Sequence, residues 1–128
     1  MAGRYNVHNT VNCEFSSIQY SRPQNDEVRI DIFFTTPHGD FLNVTFEQTD
    51  EEDELEYLVS YNARLNALQV CDVQNYMTYS LYNFSHNQAR ELKYMLSTVP
   101  YVGGTARWVE NSQPKVLHKF LQKPRRSQ

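Results

Sequence analysis

Strict alternation over residues 27–48 is the feature that most limits what this chain can become. Val28, Ile30, Ile32 and Phe34 alternate with Arg29, Asp31 and Phe33. After Thr35-Thr36-Pro37-His38-Gly39-Asp40 the pattern resumes, with Leu42, Val44 and Phe46 set against Phe41, Asn43 and Thr45. A period of two puts one apolar row on one face of a sheet, and a loop holding Pro and Gly allows the reversal, so the stretch predicts a β-hairpin. Upstream, Cys13 and Phe15 oppose Glu14 and Ser16 before Ile18 and Tyr20 shift the phase, the pattern of a strand with a bulge or a twisted edge position. Residues 22–26 have turn composition, which makes the whole an antiparallel three-strand meander, with residues 1–10 as an extended arm or short edge strand.

Residues 49–70 carry two competing periods. Thr49 with Glu52 three positions on forms a capping box, acids suit a first helical turn, and Leu55, Leu58, Leu65 and Leu68 recur at helical spacing; together these predict a helix. The rival is a second hairpin, because Leu55, Tyr57, Val59 and Tyr61 alternate with Glu56, Leu58 and Ser60, although Asn62-Ala63 makes a poor reversal.

Residues 74–84 predict a strand, with Met77, Tyr79 and Leu81 facing one way and Tyr76, Tyr82 and Phe84 the other. Residues 85–99 predict a helix: Ser85 is its N-cap, Gln88 completes the box, Ala89, Leu92, Met95, Leu96 and Val99 form one stripe, and Pro100 stops it. Residues 101–110 predict another strand, in which Val102, Ala106 and Trp108 share a face, and residues 115–122 a short amphipathic segment. The expected fold is a single α+β domain over 1–128. It has an antiparallel sheet of about five strands, one or two helices on one face, and a basic C-terminal segment at 111–128.

A chain of 128 residues suits one domain with one core. It holds no apolar run long enough for a membrane span, and its first residues lack a secretory signal's apolar core, so a cytoplasmic or nuclear protein is expected. Cys13 and Cys71 are far apart in apolar surroundings, which suits buried thiols better than a disulfide or a nucleophile. The usual catalytic strings are absent, and His8, His38, His86 and His118 fall in four different segments, so neither an enzyme, a metal site nor a cofactor is expected. His38-Gly39-Asp40 is explained by a turn. A site assembled from His38, Asp40, Cys71 and His86 is the enzymatic alternative.

Charge is segregated. Glu47, Asp50, Glu51, Glu52, Asp53, Glu54 and Glu56 include no base among them, and Lys115, Lys119, Lys123, Arg125 and Arg126 include no acid. The acidic run reads as a helix start or as a docking surface for a basic protein. The basic tail reads as a solubilising helix or as a nucleic-acid contact. Pairing of the two blocks between copies would give a homodimer. Phe33, Phe41, Tyr76, Tyr82 and Phe84 fall opposite the main apolar row and offer an aromatic sheet face, either covered or exposed to a partner. The function expected is a non-enzymatic protein-binding module, an adaptor or inhibitor of a larger partner. Its size suits a small viral or phage regulator. A nucleic-acid-binding protein using the basic tail is the alternative.

Overall fold

The computed structural model describes residues 9–22, 27–49, 55–98 and 104–110. Its centre is β1 (Asn9–Ser21), whose first half pairs in parallel with β6 (Met77–Tyr82) and whose second half pairs antiparallel with β2 (Arg29–Thr35). The hand-over falls at the expected phase shift, where Ser16 is the extra residue between Phe15 and Ser17. A bulge re-aims the strand so that one chain serves two neighbours. β2 turns through Gly39, at φ 91°, into β3 (Phe41–Glu47), which completes the meander in the expected register, with Ile32 opposite Val44 and Ile30 opposite Phe46.

The second hairpin exists and the helix at 49–70 does not. β4 (Tyr57–Asn62) pairs antiparallel with β5 (Ala67–Asp72), and β5 pairs antiparallel with β6. The apparent leucine stripe spans both sides of the sheet: Leu58 and Leu68 are buried on opposite faces, and Leu65 stands half exposed in the loop. The reversal is four residues long. Asn62 Oδ1 accepts from the amides of Arg64 and Leu65, and Asn66 takes φ 54° before β5 starts. The same device recurs one strand later, where Asp72 Oδ1 accepts from the amides of Gln74 and Asn75 and Tyr76 takes φ 55°. Short Asn and Asp side chains close such turns by standing in for a backbone carbonyl.

Helix α1 (His86–Ser97) begins with the full capping box between Ser85 and Gln88, and it buries Ala89, Leu92 and Leu96. A short β7 (Ala106–Trp108) then pairs in parallel with β4. Among the described residues the sheet is therefore seven-stranded and mixed, in the order β3-β2-β1-β6-β5-β4-β7, with one helix. The expected five-strand antiparallel sheet with one or two helices is overturned. Local alternation carries no information about the parallel pairs β1/β6 and β4/β7, and the dual periodicity at 49–70 hid two strands.

The two edges of this sheet come together. Gln48 bridges Gly104, the amide of Thr105 donates to the Glu47 carbonyl at 2.9 Å, and Phe46 on β3 lies 5.3 Å from Tyr57 on β4, centroid to centroid. The sheet curls into a barrel joined at one end of its seam. Its inner face, with Cys13, Ile30, Ile32, Phe34, Phe46, Val59, Leu68, Val70 and Leu81, packs with α1 into one core. Phe84 joins that core, against the expectation that it shares a face with Tyr82, because Asn83 at φ 67° breaks the alternation. Its ring meets Phe15 edge-on at 4.7 Å. Among the described residues, no helix is long and apolar enough to cross a membrane.

Candidate functional site

The expected aromatic face survives in part. Phe33 and Phe41 sit on the outer face of the β2–β3 hairpin and stack, with centroids 6.0 Å apart and planes 15° apart. Phe41 is 64 % exposed. Tyr82 also faces outward, but Phe41, Thr35, Glu14 and Tyr82 fall in one register row across β3, β2, β1 and β6, so two polar side chains separate Tyr82 from the pair. Tyr76 belongs to the β5–β6 loop rather than to a strand. The acidic residues Asp50, Glu51, Glu52, Asp53 and Glu54 lie outside the described residues, as do Lys115, Lys119, Lys123, Arg125, Arg126, His8 and His118.

Beside the Phe33/Phe41 pair the hairpin carries a polar network. Arg29 Nε donates to Asp31 Oδ2 at 3.1 Å, Thr45 Oγ1 donates to Asp31 Oδ1 at 2.6 Å, and Arg29 lies 3.6 Å from Glu47. The Asp31 carboxylate raises the pKa of Arg29 by hydrogen bonding and by charge, which leaves the guanidinium cationic at any working pH.

The backbone of β3 adds an open edge. Glu47 gives its amide to Thr105 Oγ1 at 2.9 Å and its carbonyl to the Thr105 amide, so the odd positions of β3 turn both backbone groups away from β2. β7 meets β3 only at this end. Among the described residues, the amides and carbonyls of Phe41, Asn43 and Thr45 have no partner.

The residues of the enzymatic alternative are not assembled. His38 and Asp40 belong to the β2–β3 turn, where Thr36 Oγ1 accepts from the Asp40 amide and the Gly39 amide donates to the Thr36 carbonyl. Cys71 is buried on the outer side of β5, with β6 and β1 between it and that hairpin. Burial raises its thiol pKa and that of Cys13, and neither cysteine is in a disulfide. Among the described residues, no three His, Cys, Asp or Glu side chains converge as a metal site.

Sequence reasoning missed a second region. A cleft of about 250 Å³ opens between α1 and the strands β4 and β7. His86, Arg90 and Lys93 recur at i, i+4 and i+7 on one face of α1, with Ala89 as the small residue between them. Tyr61 and Trp108 form the aromatic wall, and Lys93 Nζ meets Glu110 Oε2 at 2.6 Å. The tyrosine is fixed in place: its hydroxyl donates to the Phe84 carbonyl at 2.7 Å, and its ring meets that of His86 edge-on at 5.4 Å. The helical spacing of the basic residues was legible, but only the β4/β7 pairing shows what they face. No family model, curated protein or solved structure matches the chain.

Proposed function

We propose that this chain is a non-enzymatic protein-binding module that captures an extended segment of a larger partner along the open edge of β3. The observation that carries the reading is the run of backbone groups at Phe41, Asn43 and Thr45 that have no partner among the described residues, flanked by the stacked Phe33/Phe41 pair, of which Phe41 is exposed. Unpaired edges template strand addition, in which main-chain hydrogen bonds supply affinity and neighbouring side chains supply specificity. An exposed Phe beside such an edge offers the apolar anchor.

Charge selects the occupant. Glu47 ends β3, and in sequence Asp50, Glu51, Glu52, Asp53 and Glu54 follow closely, so the partner segment carries an apolar residue opposite Phe41 and Lys or Arg toward the Glu47 end. A second copy of the chain is the competing occupant, and the net charge of −3 on each copy opposes their approach.

Selection of a displayed random-peptide library on the full chain tests this. The recovered peptides should carry an apolar residue and a Lys or Arg an even number of positions apart, on one face of the added strand, and Asn43→Pro should weaken them about tenfold, because it removes one edge donor while leaving the β2 ladder intact. Binding that is indifferent to both Asn43→Pro and Phe41→Lys would overturn the proposal. So would dimerisation of the free chain through β3.

A further inference from the structure

The cleft between α1 and β7 is separate from the β3 edge, and its chemistry differs. It combines two aromatic side chains with three basic ones in a space of about 250 Å³, smaller than the roughly 300–1,000 Å³ of drug-sized ligand pockets. Among the described residues, Arg90 has no carboxylate within ion-pair distance; its guanidinium Nη2 reaches only Asn87 Oδ1, at 3.5 Å. Lys93 is held by Glu110, but both side chains are substantially exposed, and such a surface pair is weak enough for a stronger anion to displace. The helix side of the cleft thus carries Arg90 and Lys93, and the strand side carries the rings of Tyr61 and Trp108 beside the Glu110 carboxylate that Lys93 now holds.

We propose that this cleft binds one nucleotide unit, with the base against Trp108 and Tyr61 and the phosphate on Arg90 and Lys93. An aromatic ring stacks on any base with little regard to sequence, and a guanidinium matches phosphate oxygens in paired hydrogen bonds. The fixed Tyr61 ring keeps the wall in place before the ligand arrives, which lowers the ordering cost of binding.

The chain has a single tryptophan, and it lines this cleft, so its emission reports the site directly. Full-length protein is titrated with uridine, with uridine monophosphate and with a short oligouridylate, at low and high salt. The expected result is saturable quenching by the phosphate-bearing probes, stronger than by uridine, weakened by salt and reduced about tenfold in Arg90→Gln and in Lys93→Gln. Quenching by the monophosphate assigns the site to free nucleotides; quenching by the oligouridylate alone assigns it to single-stranded nucleic acid. Circular dichroism checks each variant, and either one suffices if the other fails to fold. No quenching by either phosphate-bearing probe, or quenching that ignores the folded variants, would overturn the proposal.

Discussion

Phe46 and Tyr57 lie 5.3 Å apart, centroid to centroid, although four strands separate β3 from β4, the strand that carries Tyr57, in the sheet order. Contact between residues so far apart in the sheet order requires the sheet to curl until its ends touch. That curl creates both regions of interest. The joined end of the seam leaves the rest of β3 open, and α1 packs against β7 to form the cleft.

Closure predicts energetic coupling between the two rings. Phe46→Ala should cost about 3–5 kcal/mol, as deletion of a buried aromatic does. Phe46→Leu and Tyr57→Leu, read by urea unfolding, should be non-additive by about 0.5–1.5 kcal/mol. Strict additivity would mean that the edges do not pack together in solution.

The twin loops predict a matched pair of effects. Asn62→Ala and Asp72→Ala each remove the acceptor for two loop amides and should each cost about 1 kcal/mol. Chemical denaturation gives the values directly. An effect in one loop and none in the other would show that the shared geometry does not carry shared energetics.

Much of this was legible in the sequence, and the failures have identifiable causes. The β2–β3 hairpin and α1 were readable because period two and the Ser85/Gln88 box are local signals. The β4–β5 hairpin was obscured because Leu55, Leu58, Leu65 and Leu68 satisfy helical spacing by coincidence, while the true turn depends on an Asn62 side chain and a left-handed Asn66. Phe84 was misplaced because one left-handed residue, Asn83, inverts the alternation. The parallel pairing of β1 with β6 joins segments more than sixty positions apart and leaves no periodic trace. Without it, neither the open edge nor the cleft can be built.

Buried tyrosines predict an alkaline limit. Burial raises the Tyr57 phenol to about 12, with the charges of Asp72 and Glu56 adding to it, and burial pushes Tyr20 up as well. The folded chain thus keeps protons that the unfolded chain releases near pH 10, so this stability is complete below about pH 10 and is lost as pH rises toward 12. Tyr57→Phe should flatten the fall in stability over that window. A pH profile identical to that of the unaltered chain would contradict the assignment.

Tyr20 predicts a gain. Its hydroxyl is buried without a hydrogen-bond partner among the described residues, so Tyr20→Phe removes an uncompensated polar group. Stability should rise by about 1 kcal/mol, measured by thermal and urea unfolding. A loss of that size would show that the hydroxyl is satisfied in solution.

The open edge of β3 is tested most directly by residue-resolved amide hydrogen exchange, first on the free chain and then with a selected peptide. In the free chain the amides of Phe41, Asn43 and Thr45 should exchange fast, while those of Leu42, Val44 and Phe46, bonded to β2, exchange slowly. Peptide should slow the three fast amides and leave the others unchanged. Fast amides that stay fast in the complex, or odd positions already protected in the free chain, would contradict strand addition at this edge.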